Sequence, residues 1–203
     1  MTGDYITLKS RGQDEFIEKK SRFIGYAAPV SCEEEAIAFI NEIRSKHRDA
    51  RHNVYAYIVN HDGVLNQRYS DDGEPQGTGG VPVLDVIQKR ELVNCCVVVT
   101  RYFGGVLLGA SGLVRAYSHG AAIAVENAGL LKVVKCTSVT VEIPYGLYDK
   151  VAKYMEEKNF IQESADFTER VVLLYSIPDG QVEEAAVQLT DMTNGRAMIT
   201  VQK

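Results

Sequence analysis

The sequence contains no segment that predicts a membrane anchor. Among its 203 residues there is no run of 18 or more apolar residues, the length that a membrane-spanning helix needs. The N-terminal stretch MTGDYITLKSRGQDEFIEKK is polar and has no apolar core of the kind found in secretory signal peptides. We therefore expect a cytoplasmic protein with no membrane partner.

Motifs for metal binding are also missing. The four cysteines and four histidines do not fall into the paired spacings of zinc ligands. The cysteines are expected to be reduced thiols in a cytoplasmic protein: Cys32, Cys95, Cys96 and Cys136. Cys95 and Cys96 are neighbours on a predicted strand, so their side chains should point to opposite faces. The sequence predicts no metal ion and no cofactor.

No enzyme signature is present either. The chain has no Gly-x-Ser-x-Gly motif, no phosphate loop ending in Gly-Lys-Ser/Thr and no dinucleotide fingerprint. Ser111, in the segment GASG, lies where a hydroxyl group more often caps a helix than attacks a carbonyl. No nucleophile has a recognisable partner base, so we predict no catalytic residue and expect a binding protein rather than an enzyme.

The net charge of −5 is unevenly distributed along the chain. Residues 1–135 contain 16 basic and 16 acidic residues, whereas residues 136–203 contain 6 basic and 11 acidic residues. This asymmetry predicts two domains with different tasks. The acidic second part is unsuited to binding nucleic acid by charge alone.

Hydrophobic patterns predict an α+β first domain over residues 1–132. Strands are predicted at 21–30, 53–59 and 64–70 with a turn at 61–63, and the apolar run NCCVVVT at 94–100 predicts a central strand. Helices are predicted after a capping box of Ser31 and Glu34, at 82–91 with Pro82 in the first turn, and from about Ser111 to a C-cap at Gly129. A short linker is predicted at 129–137.

Residues 133–203 are predicted to form a second domain with the order β-α-β-β-α-β, which is the ferredoxin-like plan. The strand patterns TSVTVEIPY, NFIQESADFT, ERVVLLYSIP and GRAMITVQK surround two amphipathic helical segments. Asp179 is expected to cap the helix over 180–192.

The segment RYFGGVLLGASG, residues 101–112, is the first candidate site. It follows a buried strand and precedes a helix, the setting in which backbone N–H groups can hold a phosphate. Flanking arginines, flexible glycines and two aromatic rings that could stack on bases add to this prediction: Arg101, Arg115, Gly104, Gly105, Tyr102 and Phe103. The alternative is a tight strand-to-helix connection in which the glycines serve packing alone.

The acidic, glycine-rich segment YSDDGEPQGTGG, residues 69–80, is the second candidate and contains almost nothing that could be buried. Asp71, Asp72 and Glu74 could bind Mg²⁺ together, or the segment could be a turn that favours Asp and Gly. We favour a recognition surface whose carboxylates pair with arginines and backbone groups. Before the strand at 53–59, Arg51 and His52 stand together, and His52 could be a general base or a structural residue.

Four segments in this order resemble the IMPACT/YigZ family (UPF0029): KKSRFIG, DARHNVYAYIV, YSDDGEPQGTGGVPVL and VVVTRYFGGVLLGASGLVRAYS. The resemblance covers about residues 17–126, and residues 136–203 resemble the second domain of the bacterial members and the last domain of translation elongation factor G. It implies a first domain with the fold of ribosomal protein S5 domain 2, a sheet with helices on one side, followed by a ferredoxin-like domain.

The resemblance also implies a task in translation. Many proteins with the first fold contact RNA, and eukaryotic IMPACT proteins regulate translation initiation with the help of an additional N-terminal RWD domain. The family therefore implies RNA, the ribosome or a translation-regulatory protein as the partner of this chain.

We predict that the first domain binds that partner through its glycine- and arginine-rich face. The expected contact residues are Arg22, Arg51, His52, Asp71, Asp72, Glu74, Arg101, Tyr102, Gly104, Gly105 and Arg115. Two alternatives stay open. One is a Mg²⁺-dependent hydrolase or phosphate-handling enzyme that uses Asp71, Asp72 and Glu74 with His52. The other is an adaptor whose acidic ferredoxin-like domain docks a basic protein.

Overall fold

The computed structural model describes residues 3–202, which form two compact units. The first unit ends at Val133 and the second begins at Val134. The first contains two hydrophobic clusters and the second contains one. No helix in residues 3–202 is long and apolar enough to cross a membrane. The α+β fold class predicted from the sequence is confirmed for both units.

The first unit is built on a five-stranded antiparallel sheet in the order β2-β3-β6-β4-β5. A separate two-stranded sheet pairs β1 with β7. The strands are β1 (Tyr5–Leu8), β2 (Gly12–Glu18), β3 (Ser21–Pro29), β4 (His52–His61), β5 (Val64–Ser70), β6 (Cys95–Tyr102) and β7 (Leu130–Val133). The apolar run that predicted a central strand is β6, which lies between β3 and β4.

Three helices cover both faces of this sheet: α1 (Glu33–Lys46), α2 (Gly80–Lys89) and α3 (Ala110–Ala128). Because side chains alternate along a strand, Val97 and Val99 of β6 pack with α2 and α3, whereas Cys96 and Val98 pack with α1. The expectation of helices on one side only is therefore wrong. A strand that is apolar at every position needs a cover on each face.

The predicted capping box of α1 is also wrong. The N-cap is Cys32, and the Ser31 N–H donates to Glu35 Oε2 at 2.7 Å rather than to Glu34. The helix thus begins one residue later than the Ser-x-x-Glu pattern indicates. The carboxylate of Glu35 satisfies a backbone group just before the helix.

Part of the predicted linker belongs to the first unit. Residues 130–133 form β7, whose Val133 pairs with Tyr5 of β1. The partner strand lies more than a hundred residues earlier in the chain, so no local pattern announces the pairing. Neither β1 nor the polar edge strand β2 was predicted.

The second unit has the predicted β-α-β-β-α-β order. Its elements are β8 (Cys136–Ile143), α4 (Tyr148–Glu157), β9 (Ile161–Phe167), β10 (Val171–Pro178), α5 (Val182–Met192) and β11 (Met198–Val201). The sheet order β11-β8-β10-β9 is that of a ferredoxin-like domain. Asp179 does not cap α5, because its carboxylate accepts a hydrogen bond from Thr137 at 2.7 Å and pairs with Lys135 at 3.0 Å.

Candidate functional site

A cavity of about 380 Å³ opens in the first unit where the acidic loop meets the segment after β6. Its lining comes from both of the candidate segments and from the start of β4: Arg51, His52, Glu74, Pro75, Arg101, Phe103, Leu107, Leu108, Gly109, Ala110 and Leu113. The two segments that the sequence singles out, at 69–80 and 101–112, are therefore neighbours. Arg51, His52, Glu74 and Arg101 are the predicted contact residues that the cavity brings together.

Asp71 organises the acidic loop and the start of α2. Its carboxylate accepts backbone N–H groups from Gly77 at 2.9 Å, Gly79 at 2.9 Å and Gly80 at 2.8 Å. Gly79 and Gly80 begin α2, so Asp71 satisfies N–H groups that a helix leaves free. Burial alone would raise the pKa of Asp71, but the three N–H donors outweigh it and the pKa is lowered. The carboxylate is held ionised inside the loop.

Asp72 ties the loop to α1 and β4. Its Oδ1 accepts a hydrogen bond from Arg44 Nη2 at 2.7 Å, and its Oδ2 accepts the Asn53 N–H at 2.7 Å. The prediction that this carboxylate pairs with an arginine is confirmed, but the arginine is Arg44 of α1 and not one of the predicted contact residues. Asp72 therefore fixes the loop in place.

Glu74 is buried, contrary to the expectation that the loop has almost nothing to bury. Its Oε1 accepts hydrogen bonds from Arg101 Nη1 at 2.6 Å and from the Tyr117 hydroxyl at 2.8 Å. The side chains of Arg101 and Glu74 are 6% and 4% exposed. Burial, and next the charge of Glu74, raise the pKa of Tyr117, so its hydroxyl stays protonated as a donor. One carboxylate oxygen thus joins the loop to β6 and α3.

The three carboxylates do not converge on one point. Asp71 faces backbone N–H groups, Asp72 faces Arg44 and β4, and Glu74 faces Arg101. Within residues 3–202 no group of three or more His, Cys, Asp or Glu side chains is placed to hold a metal ion. The Mg²⁺ site of the hydrolase hypothesis is therefore wrong in the ligands it names, because each of them already has its own partner.

His52 supports the loop and also faces the cavity. Its Nδ1 lies 2.9 Å from the backbone carbonyl oxygen of Asp72. Since a carbonyl oxygen only accepts, Nδ1 carries the proton in the neutral ring and Nε2 carries the lone pair. Nε2 lies 3.9 Å from Glu74 Oε1. His52 is thus a hydrogen-bonded structural residue that also presents a polar atom to the cavity.

The N-terminus of α3 lies at the cavity without a side-chain cap. Gly109 is the N-cap with φ of +75°, a conformation that favours glycine, and its carbonyl oxygen accepts the Leu113 N–H at 2.9 Å. Ser111, predicted to be the cap, lies inside the first turn and makes no capping hydrogen bond in the described part of the chain. The first N–H groups of this 19-residue helix, with the positive end of its dipole, are therefore available to a ligand.

One of the three guanidinium nitrogens of Arg101 is left without a partner in the part of the chain that the structure describes. Its Nη1 binds Glu74, and its guanidinium group lies over the rings of Phe23 at 5.5 Å and Phe103 at 5.4 Å. Its buried Nε has no hydrogen-bond partner within residues 3–202. A buried polar atom without a partner is costly, which makes an acceptor supplied by a ligand favourable here.

Tyr102 and Arg22 lie elsewhere and do not line this cavity. Tyr102 follows Arg101 on β6, so its side chain points to the α1 face of the sheet. Its hydroxyl donates to Asp49 Oδ1 at 2.9 Å. Arg22, opposite Tyr102 on β3, pairs with Glu15 at 2.6 Å. The aromatic ring that lines the cavity is that of Phe103, which is 44% exposed.

Gly104, Gly105 and Arg115 do not line this cavity either. A Cβ atom on Gly104 would lie 2.0 Å from the carbonyl oxygen of Lys20, so glycine is needed there for close packing. Gly105 has φ of +83° and open space around it. Arg115 faces a second cavity beside Lys19 and His119. The packing alternative for the glycines is thus confirmed at Gly104.

On the α1 face, His47 sits in a chain of hydrogen bonds. Tyr102 donates its hydrogen to Asp49, so His47 Nδ1–H must donate to the Tyr102 oxygen at 2.8 Å. The Tyr26 hydroxyl then donates to His47 Nε2 at 2.6 Å. Burial, and next the charge of Lys46, lower the pKa of His47. The neutral ring is the form that fits this chain.

This lowered pKa predicts a loss of stability in weak acid. The unfolded chain takes up the proton near the ordinary value of 6.5, before the folded chain does. The free energy of unfolding should therefore be highest above about pH 7 and should fall as the pH drops through 6.5. Urea unfolding can be measured from pH 7.5 to pH 5.5, a range centred on about 6.5. Over this range the free energy of unfolding should fall less for His47→Gln than for the parent. His61→Gln, at a histidine whose side chain is 80% exposed, should behave like the parent. Equal slopes for the parent and His47→Gln would contradict the prediction.

The two cysteines of β6 offer no nucleophile. Cys95 and Cys96 are buried on opposite faces of the strand, as predicted. Burial raises the pKa of Cys95 to about 12 and that of Cys96 well above its ordinary value. Both thiols stay protonated and unreactive at neutral pH.

Comparison with known proteins agrees with these two units. Residues 19–125 match the Impact N-terminal domain, and residues 141–196 match a domain of unknown function, DUF1949. The chain is 35% identical over 199 residues to IMPACT family member YvyE of Bacillus subtilis, covering 98% of this chain and 91% of the relative. It is 33% identical to IMPACT family member YigZ of Escherichia coli, covering 87% of each chain.

More distant relatives match half of this chain or less. Protein IMPACT of Mus musculus is 32% identical over 96 residues, which are 45% of this chain and 30% of the mouse protein. A solved structure titled "Crystal structure of an hypothetical protein" matches the whole chain with a TM-score of 0.63 and 28% identity, covering 99% of that structure.

The fold and the matched residues define a two-domain α+β protein in which an Impact N-terminal domain precedes a ferredoxin-like domain. The chain belongs to the IMPACT family.

Proposed function

We propose that this chain is a cytoplasmic, translation-associated protein that binds RNA through the cavity of its first domain. The observation that carries the proposal is the bare N-terminus of α3, which opens onto a cavity lined by Arg51 and Arg101. Backbone N–H groups at a helix N-terminus and arginine side chains are the usual donors to phosphate oxygens.

The shape of the site favours a single strand. The half-exposed ring of Phe103 lies at the cavity beside these donors. Aromatic rings next to a phosphate contact stack on unpaired bases with little regard to sequence. A base in a duplex does not offer its face in this way, so the proposed ligand is single-stranded RNA or an unpaired loop.

The charge of the site limits how strongly salt can affect binding. The charge of Arg101 is offset by Glu74 at 2.6 Å, whereas Arg51 is exposed and forms no ion pair within residues 3–202. Arg51 is therefore the cation that would release counterions on binding. We expect few phosphate contacts and a shallow dependence of affinity on salt.

Arg51→Glu should weaken binding of a labelled single-stranded RNA and lower the slope of log affinity against log salt by about 1. The control is Arg68→Glu, which makes the same charge change at a side chain that is 68% exposed, pairs with Glu33 and does not line the cavity. Fluorescence anisotropy at several salt concentrations measures both, and co-sedimentation with ribosomes tests the translation target. If Arg51→Glu and Arg68→Glu bind equally well, the cavity is not the RNA contact.

A further inference from the structure

A second cavity, of about 320 Å³, lies on the other side of the first turns of α3, next to the end of β2. Its lining consists of Phe16, Glu18, Lys19, Leu108, Gly112, Arg115, Ala116 and His119. Leu108 is the residue that it shares with the cavity of the proposed RNA site. The floor is apolar and the rim carries charge.

The charged groups of this rim have no partners of their own. Lys19, Arg115 and Glu18 form no ion pair within residues 3–202. The ring of His119 lies edge-on to Phe16, with 4.5 Å between their centroids. Two cations and a histidine thus face one carboxylate, which leaves an excess of positive charge. An anion is the ligand that would complete this set.

Lys19 is held in this position by a strained turn. Lys19 and Lys20 have φ of +45° and +65°, and they join Glu18 to its partner Ser21. Two-residue turns with positive φ at both positions normally use Asn-Gly, because side chains with a Cβ atom rarely adopt that conformation. Strain of this kind persists where the surrounding structure enforces it and is concentrated at functional positions.

The glycine segment after β6 supplies that enforcement. The Gly104 N–H donates to Ser21 Oγ at 3.2 Å, and Gly104 packs so closely on Lys20 that a Cβ atom would lie 2.0 Å from its carbonyl oxygen. The backbone at Gly104 therefore holds the turn in place, and the contact is too close for any side chain at position 104. If this turn served folding alone, glycine at position 20 would adopt the same backbone conformation with less strain than lysine does.

We propose that Lys19 and Arg115, with His119, bind a phosphate group in this cavity. The site is separate from the one in the proposed function, which needs none of these three residues. Phosphate chemistry has two sources here. One is the backbone of the same RNA, which would cross Leu108 from one cavity to the other, and this source rests on the proposed function. The other is a free phosphorylated small molecule, which does not rest on it.

The first experiment is an NMR titration of the full chain with inorganic phosphate and with AMP. The backbone signals of Lys19 and Gly112 and the ring signals of His119 should shift and saturate. Lys19→Gln/Arg115→Gln should weaken the apparent affinity about tenfold or more, because it removes two charge-assisted contacts. Lys89→Gln/Arg68→Gln removes the same charge outside both cavities and should leave the titration unchanged.

A turn variant separates binding from folding. Lys19→Asn/Lys20→Gly relieves the positive-φ strain, so it should melt at a higher temperature than the parent. The same variant should lose the phosphate response. If phosphate and AMP leave the Lys19 and His119 signals unmoved, or if the glutamine double variant titrates like the parent, the proposal is overturned.

A second titration with single-stranded RNA identifies the source of the phosphate. Loss of RNA affinity in Lys19→Gln/Arg115→Gln, with the inorganic phosphate response intact in Arg51→Glu, assigns the site to the RNA backbone. Unchanged RNA affinity in the double variant, together with a lost AMP response, assigns it to a free phosphorylated molecule. If the parent binds no RNA but responds to phosphate at Lys19, the proposed function fails and this site stands.

Discussion

Replacing Glu74 by alanine should lower the free energy of unfolding by about 3–5 kcal/mol. The change removes the carboxylate partner of the Arg101 guanidinium group. The side chain of Arg101 is only 6% exposed. It also removes the acceptor of the Tyr117 hydroxyl. An unpaired buried charge costs far more than the net value of the pair it came from. Urea unfolding at neutral pH measures the difference.

The chain contains a matched control for this prediction. Glu15 and Arg22 form an ion pair at the same distance of 2.6 Å, but their side chains are 45% and 50% exposed. Glu15→Ala should therefore cost less than about 1 kcal/mol. In addition, the double variant Glu74→Gln/Arg101→Met should be more stable than Glu74→Gln alone, because it leaves no buried charge without a partner. Equal losses for Glu74→Ala and Glu15→Ala would show that burial does not decide the cost.

Gly25→Ala should destabilise the first unit by about 3 kcal/mol. Gly25 lies in β3, and a Cβ atom there would come within 2.1 Å of the carbonyl oxygen of Gly120 in α3. The clash involves backbone on both sides, so no side chain can turn aside to relieve it. The helix would have to move off the sheet and lose contacts along its buried face.

The control for this substitution is Gly3→Ala in the same unit, since an added Cβ at Gly3 meets nothing within 4 Å. Its free energy of unfolding should stay within about 0.5 kcal/mol of the parent. Thermal unfolding followed by circular dichroism separates the two variants. A Gly25→Ala protein as stable as Gly3→Ala would mean that the spacing between β3 and α3 is adjustable.

The parts of the fold that sequence could predict are those with a strong local pattern. The run NCCVVVT gave β6, and His61-Asp62-Gly63 gave the turn between β4 and β5, where Asp62 and Gly63 have positive φ. The polar sequence of β2 and the short strands β1 and β7 carry no such pattern. The positions of β1 and β7 depend on pairing between residues that are distant in the chain, and strand propensity gives no information about such pairing.

The sequence allowed us to predict which two segments meet at the candidate site. It did not allow us to predict which atoms form hydrogen bonds there. The pairing of Glu74 with an arginine was foreseen in kind, whereas Arg44 and Tyr117 carried no local signal of their roles. Tyr102 was misplaced although the sequence held the necessary rule. Neighbours on a strand point to opposite faces, so Arg101 and Tyr102 cannot both line one cavity, just as Cys95 and Cys96 cannot share one core.

The hydrogen bonds to one oxygen of Glu74 have a further consequence for how the cavity opens. That atom connects the acidic loop, β6 and α3, which come from well-separated parts of the chain. The elements that this atom joins should therefore open together, and the amide protons of Gly77, Gly79 and Gly80, which Asp71 holds within the same loop, should exchange slowly with solvent. A pocket preorganised in this way loses little conformational entropy when a ligand enters. Its affinity would then be decided by chemical fit rather than by the cost of ordering a loop.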